Sequence, residues 1–100
     1  MNQYIITPQE LKDKLDAGDS IELIDVRTPD KHASYNIGGK LIPLEELPQR
    51  LAEIDRTKPI VTYCTMGGRS MRALQYLISE GFSDIKSLDG GMTRWQDEIK

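Results

Sequence analysis

The run Ile60-Val61-Thr62-Tyr63-Cys64-Thr65-Met66-Gly67-Gly68-Arg69-Ser70 constrains the fold of this chain more than any other stretch. Consecutive apolar or β-branched residues at Ile60–Tyr63 read as a strand buried on both faces, the habit of a central strand in a parallel sheet. Helical spacing begins just after the glycines, with Met71, Leu74, Leu77 and Ile78 on one face. Gly81 is placed to cap that helix, with Phe82 folding back on Leu77 in a Schellman arrangement. A strand that turns through a short glycine-containing loop into a helix is the first half of a parallel crossover, so the sheet it joins needs cover.

The rest of the chain keeps the same alternation. Tyr4-Ile5-Ile6 is a short strand. Thr7 then reads as a helix N-cap, with Pro8 at the first helical position and Glu10 completing a capping box. Ile6 and Leu11 stand at the hydrophobic-staple positions, Leu11 and Leu15 form a narrow stripe, and Gly18 ends the helix. Ile21–Val26 is a second strand. A long connection with Pro29, Asn36, Gly38 and Gly39 leads to a brief strand at Lys40-Leu41-Ile42. Leu44, Leu47, Leu51 and Ile54 recur at helical spacing. Pro48 is costly inside a helix, so the expected helix starts there and runs to about Ile54. Ile85–Leu88 is a last strand, and Met92, Trp95 and Ile99 stripe a final helix. The expectation is one α/β domain over residues 1–100, with a central, mainly parallel sheet of about five strands flanked by helices on both faces. Ligands bind beyond the carboxyl ends of such strands, and Cys64 directly follows one.

Composition removes several classes of function. The net charge of -3 speaks against nucleic-acid binding driven by overall charge. A single cysteine cannot close an intrachain disulfide, which fits a reducing cytoplasm. One cysteine and one histidine are a poor basis for a zinc site, and no metal or organic cofactor is expected. No apolar run is long enough to span a bilayer, and no charged-then-apolar leader opens the sequence. With scattered surface charge, monomer is the default expectation.

Cys64 is the candidate nucleophile. N–H donors of the loop and the positive end of the following helix both favour the thiolate. Successive N–H groups from Thr65 to Ser70 are expected to form an anion nest around the sulfur, with Gly67 and Gly68 letting the backbone bend. Arg69, and Arg72 one turn later, add positive charge. A lone cysteine is commonly a small buried hydrophobe; here Gly67-Gly68-Arg69-Ser70 and the helix start favour a reactive one. Cysteine-dependent phosphatases resemble this loop, but theirs places five residues between Cys and Arg. Here only Thr65 to Gly68 separate Cys64 from Arg69, and Ser70 cannot replace a bidentate guanidinium. The tighter cradle matches a single extra sulfur atom better than a phosphate.

Four motifs in order resemble the single-domain rhodaneses, the thiosulfate sulfurtransferase-like family. They are Leu23-Ile24-Asp25-Val26-Arg27, then Asn36 through Leu44, then the Cys64–Ser70 loop, then Leu88-Asp89-Gly90-Gly91-Met92-Thr93-Arg94-Trp95. The resemblance covers essentially the whole chain. It implies a rhodanese-like fold and a sulfurtransferase in which Cys64 takes sulfane sulfur from thiosulfate or a persulfide. The Cys64 persulfide would then pass it to a thiol or cyanide. Thr65, Met66, Gly67, Gly68, Arg69 and Ser70 would hold the substrate through backbone and charge. A protein persulfide donor or a thioredoxin-like acceptor belongs to the same reading. Thr65 stands where many relatives carry a basic residue, leaving Arg69 as the main loop charge. Asn36 stands where a histidine is frequent, and Gly38-Gly39-Lys40 where Pro-Gly-Ala is frequent.

Other residues take plainer roles. Asp25 and Arg27 read as structural, Arg69 as a substrate-anion ligand or, slightly favoured, as ordering the loop by pairing with an acid such as Asp25, and His32 as solvated surface. Trp95, Tyr63 and Tyr76 read as packing residues, while Arg72 and Arg94 either raise the field at the pocket mouth or face solvent. The competing functions are a non-catalytic interaction domain, which an intact cysteine disfavours, and a phosphatase or arsenate reductase, which the short loop disfavours.

Overall fold

Five parallel strands lie in the order β1-β5-β4-β2-β3 in a computed structural model that describes residues 2–99. The strands are β1 (Ile5–Ile6), β2 (Glu22–Asp25), β3 (Lys40–Leu41), β4 (Ile60–Tyr63) and β5 (Ile85–Leu88). Helices α1 (Pro8–Asp16), α2 (Pro29–Ser34), α3 (Gly68–Ser79) and α4 (Gly91–Glu98) connect or flank them. The sheet is parallel throughout, and β4 at its centre is buried along its whole length, as its continuous apolar run requires. Residues 1 and 100 of the expected domain lie outside the described residues.

The core divides into two by face. On one side Ile24, Val26, Ile60, Leu74, Leu77 and Phe82 pack beneath α3. On the other, Leu11 of α1 and Met92 and Trp95 of α4 pack with Leu23, Val61 and Tyr63. Helices therefore cover both faces. Burying a leucine such as Leu74 contributes about 2 kcal/mol by area alone.

Local signals set the helix ends. Thr7 Oγ1 accepts from the Glu10 N–H at 3.2 Å, and the Thr7 N–H donates to Glu10 Oε1 at 2.9 Å, closing the capping box. At the end of α3 the N–H groups of Phe82 and Gly81 donate to Leu77 O and Ile78 O, both at 3.0 Å, the Schellman pattern read from the sequence.

Three expectations need correction. The connection after β2 contains α2, announced by Thr28-Pro29-Asp30 in the same way that Thr7-Pro8 announces α1. The helix placed from Pro48 to Ile54 is instead two 3₁₀ stretches, Leu44–Gln49 and Leu51–Glu53, with Pro48 inside the first. A proline that clashes in an α-helix is compatible with a short, tight 3₁₀ turn. In α3 the buried face runs through Ser70, Ala73, Leu74 and Leu77, so Met71 is only half-buried and Ile78 is exposed.

One glycine is fixed by close approach. Gly39 has φ +87°, and a Cβ there would stand 2.4 Å from Leu23 O. The chain can therefore enter β3 against β2 only with glycine at this position.

Candidate active site

Strand β4 delivers Cys64 to its carboxyl end, where the residue is 3% exposed and its thiol free. The sulfur accepts N–H donors from Gly67 at 3.0 Å and Ser70 at 3.3 Å. Gly67 makes this possible with φ +110°, a left-handed conformation that turns its N–H back onto the sulfur just before α3 begins. Two amides and a helix N-terminus thus converge on Sγ and stabilise negative charge there.

Beneath the sulfur lies a set of hydroxyls that are fully accounted for. Ser70 Oγ is 3.4 Å from Cys64 Sγ, donates to Gly67 O at 3.1 Å and meets Ser87 Oγ of β5 at 2.7 Å. Thr62 Oγ1 donates to Ser70 O at 3.0 Å. The serine proton serves the Gly67 carbonyl while the sulfur carries its own proton. It is free to turn to the sulfur once that proton leaves.

Helix α4 holds the loop from its other side. The Met92 N–H donates to Cys64 O at 2.8 Å and the Thr93 N–H to Thr65 O at 2.9 Å. With both carbonyls tied to α4, planar trans peptides turn the Thr65 and Met66 N–H groups the opposite way. Among the described residues, the N–H groups of Thr65, Met66, Gly68 and Arg69 have no acceptor in the protein. The expected nest therefore splits, with two amides on the sulfur and four left for whatever the loop receives. Gly91 is essential to the clamp, because its φ is +58° and a Cβ would stand 2.4 Å from Cys64 O and 2.6 Å from Thr65 O.

A cavity of ≈ 440 Å³ opens over Cys64, with Arg27, Lys31, Thr65, Met66 and Arg69 in its walls. The Arg27 charge is already committed. Its guanidinium pairs with fully buried Asp25 through Nε–Oδ1 at 2.9 Å and Nη2–Oδ2 at 2.8 Å, and Nη2 also donates to Tyr35 O at 2.7 Å. Burial opposes ionisation of Asp25, but the Arg27 guanidinium and N–H, with His32, outweigh it and hold its carboxyl below the usual range. Tyr63 lies under Arg27 and donates its hydroxyl to Gly38 O at 2.9 Å. Burial, helped by the Asp25 charge, pushes its phenol up to about 12. Lys31 and Arg69, by contrast, have no acidic partner among the described residues and leave positive charge at the cavity mouth.

The residues singled out from sequence come together unequally. Thr65, Met66, Gly68 and Arg69 line the cavity, with Met66 73% exposed on its rim. Gly67 and Ser70 act from below, on the sulfur itself. Gly68 lacks a positive φ and a Cβ there would meet open space, so of the glycine pair only Gly67 is required by backbone shape. Arg69 does not pair with Asp25, whose oxygens are taken by Arg27 and His32. His32 is not solvated surface, since its Nδ1 lies 2.8 Å from Asp25 Oδ2. Arg94 pairs with Asp89 at 2.6 Å and Glu98 at 2.5 Å. Lys31 and Ser87 are not among those residues, and Gly91 is there only as part of the Leu88–Trp95 motif, with no role assigned to it. Gly90-Gly91 ahead of an amphipathic run repeats the Gly67-Gly68 pattern, the one signal that would have found the α4 clamp.

A second cavity of ≈ 450 Å³ lies at the amino ends of the strands, between Lys14, Asp19, Pro59, Asp84 and Lys86. Its lining includes no cysteine.

Comparison with known proteins points the same way as the geometry. The model of the rhodanese-like domain family matches residues 7–98. A probable adenylyltransferase/sulfurtransferase MoeZ of Mycobacterium tuberculosis is 40% identical over 98 residues, covering 95% of this chain but only 25% of that protein. The chain thus spans about a quarter of that relative's length. A thiosulfate sulfurtransferase GlpE of Stutzerimonas stutzeri is 34% identical over 92 residues, covering 91% of this chain and 83% of that one. The crystal structure of a rhodanese-like domain protein from Staphylococcus aureus superposes with a TM-score of 0.82 at 32% identity, covering 97% and 95% of the two chains.

Proposed function

The chain belongs to the family of rhodanese-like domains, and we propose that it is a sulfurtransferase carrying sulfane sulfur on Cys64. The observation that carries this reading is the convergence of the Gly67 and Ser70 N–H groups on a buried sulfur, under a cavity whose other loop amides lack acceptors. Relatives named sulfurtransferase support the same role.

The chemistry is double displacement. The Cys64 thiolate attacks the outer sulfur of thiosulfate, a new S–S bond forms, and sulfite leaves with the electron pair of the broken bond. The extra sulfur, with its negative charge, then faces the free amides of Thr65, Met66, Gly68 and Arg69. Cyanide or a thiolate attacks that sulfur and returns Cys64 as thiolate. Every step moves a sulfur atom and an electron pair between sulfur and its partners, using only protein groups already described. Lys31 and Arg69 at the mouth favour an anionic donor. Whether that donor is thiosulfate or a persulfide, Thr65, Met66, Gly68 and Arg69 face it while Gly67 and Ser70 hold the Cys64 sulfur, and the whole unit works as one domain.

The test is thiocyanate formation from thiosulfate and cyanide. The parent protein is expected to turn over, and Cys64→Ser to give only the uncatalysed rate. Equal activity in both would overturn the proposal.

A further inference from the structure

The cavity over Cys64 does not end at the sulfur. A second basin of ≈ 210 Å³ adjoins it, and the two share Arg27, Lys31 and Thr65 as walls. The second basin is completed by Ser34 and Tyr35 at the end of α2 and by Met92 and Gln96 on α4. Its shape is set from inside the protein. Arg27 Nη2 binds Tyr35 O at 2.7 Å, and His32 binds Asp25, so α2 is tied to the end of β2 at two points. The α4 side is tied through the Met92 and Thr93 amides to the active loop. Both walls are thus anchored to residues that position Cys64.

Thiosulfate is compact and needs only the first basin. The second offers different chemistry: Tyr35, a residue 46% exposed, the largely buried Met92, a primary amide and a hydroxyl, with the Lys31 ammonium at the junction. That set suits a carbon-bearing group with an amide and a carboxylate. Resting on the sulfurtransferase reading above, we propose that this basin is a leaving-group subsite for a carboxylate-bearing low-molecular-weight persulfide. Its outer sulfur lies at Cys64, its carboxylate pairs with Lys31 and its organic part lies between Tyr35 and Gln96. The Cys64 thiolate attacks the outer sulfur of R–S–SH and forms the new S–S bond. The old R–S–S bond breaks, and RS⁻ departs with its electron pair to take a proton from water. Run backwards, the same subsite holds the accepting thiol.

The test is single-turnover loading of Cys64, followed by intact mass, with thiosulfate, glutathione persulfide and the carboxylate-free persulfide of 2-mercaptoethanol as probes. Tyr35→Ala and Gln96→Ala are expected to slow loading from glutathione persulfide about fivefold or more while thiosulfate loading stays within about twofold. Lys31→Ala is expected to slow thiosulfate and glutathione persulfide about tenfold at low salt and to spare the persulfide of 2-mercaptoethanol, which carries no charge beyond its reacting sulfur. Equal slowing of all donors by Tyr35→Ala and Gln96→Ala, or no slowing of any, overturns the subsite. So does a parent protein that loads from thiosulfate and not from glutathione persulfide, although sulfur transfer itself would stand. Failure of the parent to load from every donor overturns the sulfurtransferase reading and the subsite with it.

Discussion

Ser70 touches Cys64 Sγ twice, through its backbone N–H at 3.3 Å and its hydroxyl at 3.4 Å. One residue at the first turn of α3 therefore supplies both a fixed dipole and a rotatable proton to the Cys64 sulfur. The hydroxyl also reaches Ser87 Oγ on β5 at 2.7 Å, so the chemistry of the loop is tied to the sheet beneath it.

Ser70→Ala removes the bridge and leaves the buried Ser87 hydroxyl without its partner. A loss of about 1–3 kcal/mol in stability is expected, measured by urea unfolding. Ser70→Ala with Ser87→Ala is expected to cost less than the sum of the single changes, because neither partner is then left unpaired. Strict additivity would contradict the bridge.

Gly91→Ala and Gly68→Ala are expected to differ sharply. A Cβ at Gly91 collides with the carbonyls of Cys64 and Thr65 and meets an unfavourable φ, so this change displaces the loop and slows sulfur loading at least about tenfold. Gly68 has an ordinary φ and open space, so alanine there gains about 0.4–1 kcal/mol in stability by restricting the unfolded chain. Thermal unfolding and loading rates of the two variants decide the point.

Asp25 governs the acid side of the stability profile. Its carboxyl is held below the ordinary value despite burial, chiefly through Arg27. The stabilisation is fully present above the unfolded-state value of about 3.9 and is lost as pH falls through the lower folded value. Asp25→Asn is expected to cost about 3 kcal/mol or more near pH 7, because the buried Arg27 loses its counter-charge, and to flatten the dependence below about pH 4. Denaturant midpoints measured against pH would show both effects; an unchanged slope in the variant would contradict the assignment.

Much of this was legible in the chain because the signals are local. Thr7-Pro8-Glu10, Gly81-Phe82 and the apolar run of β4 each carry their own geometry within a few residues. The position of Cys64 after a strand and before a glycine followed from the same kind of evidence. What the sequence hid depends on contacts between distant segments. Ser87 and Ser70 meet across β5 and α3, and Gly91 approaches Cys64 from α4. His32 reaches back to Asp25 only because α2 folds over the end of β2. Pro48 misled for a different reason: helical spacing of leucines does not separate an α-helix from successive 3₁₀ turns. Lys31 was invisible because nothing in the sequence distinguishes an unpaired cation at a cavity mouth from one on an ordinary surface.

The claim that Cys64 carries sulfur is tested most directly by intact mass after brief exposure to thiosulfate or a small persulfide, then again after cyanide. The parent protein is expected to gain the mass of one sulfur atom, lose it to cyanide and release thiocyanate, while Cys64→Ser gains nothing. A parent that gains no sulfur from either donor, or a Cys64→Ser variant that gains as much, would contradict sulfur transfer through Cys64.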